Sequence, residues 1–484
     1  MKSTRTVRFT AADQQRFARL SGDSNPVHLD AVAARRILAG EPIVHGMHLL
    51  LRMLEAHIST GARGRSRTRA LQRLKISATF QRPAIVGERI RFARDADGRL
   101  SADADGGTTL AVATLTPGEG AATHASPPPR MRLDKRRRTP AVRSAAEADG
   151  ARGVVALPSA SALGRAFPRA ARALGADVVA ALAGVSTLVG MECPGRDSLL
   201  SAVRIEVTPH ERPDRLAWSV QRVDRRFGLV RIDVHGAGVE GSVDTFLRPL
   251  PAPLPTLAAA AAHAGPCEFA GVRALIVGGS RGLGAATAML IAAGGGLPIV
   301  TYASGAGEAA ILQRDAARAR RRIEALRLDV GDADAARIVA GAAARFEVTQ
   351  LYYFATPRIF VRRSAPFDVR LFDRFAAFYV SGFARVAAAA VAASPSLAVF
   401  YPSSTAIDEA AADLTEYAAA KAAGECICRA MAEEHADARI VVRRLPRIAT
   451  DQTASILPAP ALDPFDAMLP ILRQMQTPTR GSDR

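Results

Sequence analysis

Three side chains capable of acid–base chemistry occur within six residues near the start of the chain. In the segment Ser21-Gly-Asp-Ser-Asn-Pro-Val-His-Leu-Asp30 they are the carboxyl group of Asp23, the amide of Asn25 and the imidazole of His28. A carboxyl group and an imidazole in different environments can have their pKa values pushed apart, so that they divide the proton transfers of a reaction. Asn25 can hold a water molecule or fix the loop. This set suits the addition or removal of water across a double bond conjugated to a thioester.

The segment Pro42-Ile-Val-His-Gly-Met47 supplies a candidate for the remaining requirement, a donor to the carbonyl oxygen. It leads into an apolar stretch that predicts a helix over Met47–His57. A backbone N–H near Gly46 would lie at the helix N-terminus, where unpaired donors and the positive end of the helix dipole stabilise an enolate-like oxygen. We interpret His45 and His48 as helix-start or packing residues.

The pattern G-D-x-N-P-x-H-x-D followed by P-I-V-H-G-M resembles the (R)-specific enoyl-CoA hydratases of the MaoC-like dehydratase family, which have a hot-dog fold. The resemblance implies that Asp23 and His28 are the catalytic pair, with Asn25 and Gly46 in the same site. An Asp-Asn-Pro turn with an incidental histidine is the alternative, but the spacing of the two segments favours the catalytic interpretation. The implied substrate is an acyl thioester of coenzyme A or of acyl carrier protein, and no metal ion is expected.

Length and composition indicate a multidomain protein of the cytoplasm. The 484 residues suggest about three domains, and the segment Met1–Thr10 lacks the apolar core of a signal peptide. The apolar run Val178–Met191 is shorter than the ~20 residues of a membrane span, and longer uncharged runs are interrupted by glycine, proline or serine. We therefore expect no membrane association. The cysteines have neither metal-ligand spacing nor a disulfide framework, and we expect reduced, mostly buried thiols at Cys193, Cys267, Cys426 and Cys428.

The net charge of +18 comes almost entirely from arginine spread along the chain, which argues against a nucleic-acid surface. No helix-turn-helix, zinc-finger or aromatic-interleaved basic motif occurs. One basic cluster follows the triple proline Pro127–Pro129, and we interpret it as a solvated linker. Docking of an anionic partner, such as the phosphates of coenzyme A or an acidic acyl carrier protein, is the alternative. The cluster comprises Arg130, Arg132, Lys135, Arg136, Arg137 and Arg138.

Alternating apolar residues predict two domains of similar plan in the first half of the chain. Segments such as Leu71–Phe80 and Thr109–Leu115 predict strands that wrap one long helix, so we expect a catalytic hot-dog domain over 1–118. A basic Pro/Gly/Ala linker covers 119–150. Residues 151–250 repeat the helix and strands but lack Asp-x-Asn-x-x-His. We expect them to form a non-catalytic half that completes an α+β double hot-dog and shapes an acyl-chain tunnel.

A Pro/Ala linker over 251–267 precedes a change of periodicity. The strand Ala274–Val277, a glycine-rich turn, the helix Ala285–Ala293 and the strand Pro298–Tyr302 follow one another within about thirty residues. This order predicts an α/β Rossmann fold, a doubly wound parallel sheet, with a pyrophosphate held at the turn. The predicted cofactor-binding residues of the turn are Gly278, Ser280, Arg281, Gly282, Leu283 and Gly284.

Tyr417 and Lys421 lie four residues apart, and so on one face of a predicted helix. The ammonium can lower the pKa of the phenol, which makes Tyr417 a usable proton donor when hydride reaches a carbonyl. With the glycine turn, this pair resembles the short-chain dehydrogenase/reductase family over about 268–455, within a predicted domain over 268–484. The resemblance also implies roles for Ser404, which would polarise the substrate carbonyl, for Asp329 near the adenine, and for Thr450.

The same region departs from the family at three places. The asparagine motif is replaced by Tyr353-Phe-Ala-Thr356, Tyr379 stands in place of the helix asparagine that relays protons, and Arg447 stands where glycine is usual. An acid after the second strand would bind the ribose hydroxyl of NAD, but here the strand continues into Tyr302-Ala-Ser304. Together with Ser280-Arg281 this favours NADP, with NAD as the alternative.

These features predict a bifunctional, homo-oligomeric enzyme that acts on acyl thioesters. NADPH would reduce a 3-oxoacyl thioester at Tyr417, and Asp23 and His28 would dehydrate the (3R)-hydroxyacyl product to the 2-enoyl thioester. One alternative is the reverse sequence, hydration followed by oxidation with NAD, as in β-oxidation. Another is a hydratase whose reductase-like domain only binds cofactor or carrier protein.

Overall fold

The computed structural model describes residues 4–34, 40–58, 74–118, 137–207, 215–248, 252–359, 367–409, 412–453 and 460–476. The chain divides into two compact units, Met1–Leu250 and Pro251–Arg484. Most of the predicted 119–150 linker lies outside the described residues, including Arg130, Arg132, Lys135 and Arg136 of the basic cluster. Of the remaining cluster residues, Arg137 forms an ion pair with Glu192 at 2.9 Å.

The first unit contains one antiparallel sheet of ten strands. In chain order they are β1 (Thr4–Arg8), β2 (Leu74–Phe80), β3 (Arg89–Arg94), β4 (Leu100–Ala104), β5 (Thr109–Pro117), β6 (Arg152–Ala156), β7 (Ser198–Val207), β8 (Arg215–Asp224), β9 (Leu229–Gly236) and β10 (Val239–Leu247). Across the sheet the order is β1-β3-β4-β5-β2-β7-β10-β9-β8-β6. Counted from its outer edge inward, each half therefore has its first, third, fourth, fifth and second strand.

The helices of the first unit precede the last four strands of each half. They are α1 (Ala11–Ser21), α2 (Pro26–Leu29), α3 (Ala31–Ala34), α4 (Gly46–His57), α5 (Ala145–Ala148), α6 (Ala160–Ala166), α7 (Pro168–Leu174) and α8 (Ala176–Thr187), the last continued by a π-helical turn, Leu188–Glu192. The two longest helices of the halves, α4 and α8, contact each other. Every residue of α8 from Val178 onward is buried, as expected for a helix that is apolar on all sides.

The two halves of the sheet meet where β2 pairs with β7. Ile76 lies opposite Ile205 and Ala78 opposite Val203 in this pairing, and all four side chains are buried. Because side chains alternate between the faces of a strand, Lys75 points to the opposite, exposed face. The shared sheet gives both halves one continuous hydrophobic core.

The second unit contains a parallel sheet of six strands in the order β13-β12-β11-β14-β15-β16. The strands are β11 (Arg273–Val277), β12 (Leu297–Tyr302), β13 (Glu324–Arg327), β14 (Gln350–Tyr353), β15 (Ala398–Ser404) and β16 (Arg439–Leu445). The prediction of a doubly wound parallel sheet is confirmed. The direction of strand order reverses between β11 and β14, which is where ligands bind in such sheets.

Helices cover both faces of this sheet, and each face has its own hydrophobic cluster. They are α9 (Leu257–Ala261), α10 (Gly282–Ala293), α11 (Ala306–Arg318), α12 (Ala335–Phe346), α13 (Val369–Ala376), α14 (Phe383–Ala393), α15 (Ala406–Glu409), α16 (Thr415–Glu434) and α17 (Pro464–Gln476). A π-helical turn, Ala377–Gly382, joins α13 to α14. Helix α10 begins at Gly282, inside the glycine turn and three residues before the predicted start.

Among the described residues, the helical run Val369–Ala393 is long and apolar enough to cross a membrane by length and composition alone. A bent pair, Pro168–Leu174 with Ala176–Glu192, reaches that length only as a broken span. Core helices of soluble proteins meet the same test. Val386 and Ala390 of the first run belong to the hydrophobic core of the second unit, so packing accounts for their apolar character.

The four cysteines are free thiols. Cys193 and Cys428 are buried, whereas Cys267 and Cys426 are exposed. The prediction that most of these thiols are buried is therefore wrong for half of them, because Cys426 lies on an exposed side of α16 and Cys267 lies in an exposed segment before β11.

Ile205→Ala tests the junction between the halves of the ten-stranded sheet. Loss of a fully buried isoleucine leaves a cavity, and we expect the free energy of unfolding of the first unit to fall by about 2–5 kcal/mol. Lys75→Ala, on the exposed face of the neighbouring strand, should change it by less than about 0.5 kcal/mol. Calorimetry of the full chain measures both; equal effects would contradict a shared core.

Candidate functional sites

The loop that carries Asp23 begins where helix α1 ends. Gly22 has φ 89°, a left-handed conformation that glycine adopts without strain, and its N–H donates to the Ala18 carbonyl at 2.7 Å. Asp23 follows and is only 2% exposed. The backbone N–H of Asn25 donates to Asp23 Oδ1 at 3.1 Å. The turn therefore buries the carboxyl group and orients one of its oxygens.

Asn25 fixes this loop with both ends of its amide. Its Oδ1 accepts the Val27 N–H at 3.1 Å and caps helix α2. Its Nδ2 lies 3.1 Å from the Gly190 oxygen, 3.3 Å from the Gly195 oxygen and 3.2 Å from the Arg196 oxygen. These carbonyls belong to the second half of the unit. Of the two roles predicted for Asn25, the geometry favours fixing the loop.

His28 is held in one tautomer. Its Nδ1 lies 2.8 Å from the Ile43 carbonyl oxygen, so this nitrogen carries the hydrogen and Nε2 keeps its lone pair. Burial, with a smaller contribution from the neighbouring His45, lowers the pKa of His28 to about 3, although Asp23 opposes the shift. The imidazole is therefore neutral near pH 7 and can accept a proton at Nε2.

His45 joins this pair, although the sequence indicated only a helix-start or packing residue. It does immediately precede α4, but its ring also stacks on His28 with centroids 3.7 Å apart. Its Nδ1 lies 2.8 Å from Gln14 Oε1 and its Nε2 lies 3.1 Å from the Asp23 carbonyl oxygen. Gly46 is the first residue of α4, the position predicted for the donor to a thioester oxygen.

Possible ligand atoms of Asp23, His28 and His45 all lie within 4.8 Å of one another. This spacing would suit a metal ion, but both ring nitrogens of His45 already contact protein groups. Metal binding would therefore break one of these contacts, and proton transfer is the better use of the cluster. His48 lies apart from it, stacked on Phe17 with centroids 4.5 Å apart.

Ser186 is a member of the site that the sequence did not reveal. It lies on α8 in the second half, and its Oγ donates to Asp23 Oδ2 at 2.7 Å. Burial raises the pKa of Asp23, while His28 and the hydrogen bonds from Ser186 and Asn25 oppose the rise. The available signal was a serine in an otherwise apolar, buried stretch.

The glycine turn of the second unit has the close approaches that a dinucleotide site needs. Gly278 has φ 79°, and a Cβ on Gly284 would lie 2.4 Å from the Gly278 carbonyl oxygen. Gly282 also has a positive φ, 56°, and begins α10, with Leu283 next to it. Thr450 lies beside Gly282, since a Cβ there would meet Thr450 Cγ2 at 3.7 Å. The geometry brings the predicted turn residues and Thr450 together.

The residues predicted to select the cofactor's ribose lie around the same turn. Arg281 precedes α10 and its Nη1 is 3.9 Å from Asp451 Oδ2. Ser280 is buried against the segment after β12, because a Cβ on Gly305 would lie 2.4 Å from its Oγ. Asp329 follows β13 and accepts the Gly331 N–H at 3.0 Å, which fixes its loop.

Ser404, Tyr417 and Lys421 meet where β15 ends beside α16. The Ser404 side chain forms a hydrogen bond with the Tyr417 phenol, and burial raises the pKa of that phenol. Lys421 Nζ donates to the Pro402 carbonyl oxygen at 2.6 Å and lies 5.9 Å from the centre of the Tyr417 ring. Burial lowers the pKa of Lys421 to about 7.

Tyr379 occupies the centre of this group. It lies in the π-helical turn, is 1% exposed, and packs edge-on against Tyr417 with centroids 5.5 Å apart. Its hydroxyl forms a hydrogen bond with Thr356, another of the substituted positions. Lys421 Nζ lies 4.0 Å above its ring. Tyr379 therefore contacts the Lys421 ammonium with the face of its ring, at the position where the family has the side-chain amide of an asparagine.

Family models match two separate regions of the chain. A model described as a MaoC like domain matches residues 1–112, and one described as short chain dehydrogenase matches residues 273–457. The comparison with curated proteins finds no match.

Solved structures similar to the chain include three dehydrogenases and reductases. A 3-oxoacyl (acyl-carrier-protein) reductase from Agrobacterium tumefaciens C58, with NADP bound, is 22% identical, with coverage of 42% of this chain and 87% of that one and a TM-score of 0.38. A short chain dehydrogenase from Burkholderia cenocepacia J2315 in complex with NADP is 22% identical, with 43% and 91% covered and a TM-score of 0.39. A short-chain dehydrogenase/reductase from Serratia marcescens BCRC 10948 is 20% identical, with 43% and 92% covered and a TM-score of 0.39.

The chain thus contains a MaoC-like domain and a short-chain dehydrogenase domain, which indicate a hydro-lyase and an NAD(P)-dependent oxidoreductase.

Proposed function

We propose that the protein is a bifunctional acyl-thioester enzyme. Its first unit interconverts (3R)-hydroxyacyl and 2-enoyl thioesters, and its second unit reduces 3-oxoacyl thioesters with NADPH. The 3-hydroxyacyl thioester is common to both reactions, as product of the reduction and substrate of the dehydration. The observation that carries the proposal is the cluster of Asp23 and His28, in which a carboxyl oxygen and an imidazole nitrogen lie within 4.8 Å of each other, beside the start of α4.

The effect of burial on the two pKa values indicates which residue donates a proton and which accepts one. Burial lowers the pKa of His28 and raises that of Asp23, which favours a neutral imidazole beside a protonated carboxyl group. In hydration, His28 Nε2 accepts a proton from water while the water oxygen bonds to the β-carbon. Asp23 then gives its proton to the α-carbon, and dehydration reverses each transfer. The Gly46 N–H stabilises the thioester oxygen, where charge develops.

We propose that the first unit is a double hot-dog. Its halves have mirrored strand orders in one sheet, and their long helices α4 and α8 contact each other. The absence of Asp-x-Asn-x-x-His from the second half supports a non-catalytic role for it. We propose that it completes the fold and contributes to acyl binding, with coenzyme A or acyl carrier protein as the thioester carrier.

The glycine turn of the second unit fits a dinucleotide. The tight approach of Gly284 to Gly278 and the start of α10 at Gly282 suit a pyrophosphate. Arg281 and the absence of an acid in Tyr302-Ala-Ser304 favour NADP. The bound nicotinamide would supply the hydride, Tyr417 would give its proton to the carbonyl oxygen, and Ser404 would orient the phenol and the carbonyl.

Two observations favour a second candidate, a hydratase whose reductase-like domain binds cofactor without turnover. Lys421 is directed to the Pro402 carbonyl and the Tyr379 ring, and burial raises the pKa of Tyr417. Both features would weaken Tyr417 as a proton donor. We propose the active reductase as the first candidate, in a cytoplasmic homo-oligomer.

Paired variants separate the two activities. Asp23→Asn should lower crotonyl-CoA hydration at least 100-fold, because the carboxylic proton is lost, and should leave acetoacetyl-CoA reduction unchanged. Tyr417→Phe should do the converse. Both assays are run on the full chain with NADPH and with NADH. Reduction that is absent from the wild type would favour the cofactor-binding candidate, whereas reduction that is unchanged in Tyr417→Phe would contradict the role of Tyr417 as proton donor.

Arg281→Ala tests the choice of cofactor. An arginine bound to a 2′-phosphate makes charge-assisted hydrogen bonds, so we expect the Kd for NADPH to rise about tenfold. The Kd for NADH should change less than twofold. Fluorescence titration of the full chain measures both. An equal change for both nucleotides would place Arg281 outside the 2′-phosphate site, and tighter binding of NADH by the wild type would support the oxidative direction.

A further inference from the structure

One side chain from the second half of the first unit, that of Ser186, contacts the carboxyl group of Asp23 in the first half. Ser186 Oγ donates to Asp23 Oδ2 at 2.7 Å across 163 residues of sequence, and Ser186 is 5% exposed. The other oxygen, Oδ1, accepts the Asn25 N–H from its own loop. Each carboxyl oxygen therefore has a donor, and one donor comes from the half that lacks the catalytic motif.

The surrounding segment is shaped to bring this hydroxyl to the acid. Helix α8 is buried along its last ten residues, so a hydroxyl on it must find a partner inside the protein. The adjacent Thr187 Oγ1 donates to the Ser21 carbonyl at 2.6 Å, which ties the end of α8 to the start of the acid loop. Ser186 is thereby held beside Asp23.

The π-helical turn after α8 brings backbone against the same carboxyl group. A Cβ on Gly190 would lie 2.3 Å from Asp23 Oδ1 and 2.6 Å from Asp23 Cγ. No side chain fits at that distance, so the absence of one at Gly190 allows the approach. The Gly190 carbonyl oxygen accepts from Asn25 Nδ2 at 3.1 Å. The segment 186–190 therefore packs directly against the loop that carries Asp23.

We propose that Ser186 is a positioning residue for the hydration reaction, whose hydroxyl holds Asp23 beside His28 and stabilises the carboxylate left after its proton has moved to the α-carbon. The inference rests on the proposed function of the first unit. It gives the non-catalytic half a part in proton transfer as well as in acyl binding. No other oxidant, reductant or co-reactant is needed, since the proton taken from water at His28 returns to Asp23 before the next turnover.

The electrostatic effect of the bond has a definite sign. A hydroxyl that donates to a carboxylate favours the ionised form, so its loss raises the pKa of Asp23. Among the described residues, the other titratable groups facing Asp23 are His28 from α2 and His45, which immediately precedes α4, and Arg248, which follows β10, acts on His28. None of these groups is altered by a substitution at Ser186.

The test compares Ser186→Ala with Ser198→Ala in the full chain. Ser198 is also buried, but its Oγ donates to the Val189 carbonyl at 2.9 Å and not to Asp23. Infrared titration follows the carboxylic acid C=O stretch of Asp23, identified as the band missing from Asp23→Asn. Crotonyl-CoA hydration is measured over the same pH range, and thermal unfolding checks that each variant is folded.

We expect the infrared midpoint of Asp23 to rise by about one pH unit in Ser186→Ala and to stay in place in Ser198→Ala. Hydration requires protonated Asp23, so the alkaline limb of the profile should move up with it while kcat falls about tenfold. An unmoved midpoint and limb in Ser186→Ala would overturn the inference. A wild type that hydrates nothing would instead overturn the proposed function, and the infrared titration would still decide the role of Ser186.

Discussion

The hydrogen bond from Ser186 to Asp23 is the contact on which the candidate site of the first unit depends. A carboxyl group that is almost completely buried needs partners for both of its oxygens, and its own loop supplies only one. The second partner must come from another element, and the apolar helix α8 delivers it. The shared ten-stranded sheet and the contact between α4 and α8 are what keep these two elements in register.

Burial has opposite consequences at the two candidate sites. In the first unit it separates an acid from a base, because it raises the pKa of Asp23 and lowers that of His28. In the second it lowers the pKa of Lys421 to about 7 and raises that of Tyr417, so both groups are less ionised. The same desolvation therefore assists one set of residues and opposes the other.

The sequence predicted most where the relevant residues are close together in the chain. One short segment carries Asp23, Asn25 and His28, and the glycine turn directly follows its strand. The proximity of these residues could therefore be predicted from their spacing in the sequence. Ser186 was not, because a serine in an apolar stretch carries no motif and its partner is 163 residues away. His45 was predicted to be a helix-start or packing residue, but its position against the ring of His28 depends on the fold. The role of Tyr379 likewise depends on packing that no spacing encodes.

The mirrored halves of the first unit are joined in a single chain, and this removes a constraint that symmetry imposes. In a dimer of identical subunits, every residue occurs twice. One copy lies in the subunit that carries a given catalytic acid, and the other copy lies in the partner subunit that faces that acid. Here the position of Ser186 faces Asp23 only once, and the second half carries no acid loop that must be conserved for chemistry. Joining the two halves in one chain therefore allows the two surfaces around Asp23 to differ, one for reactivity and the other for support.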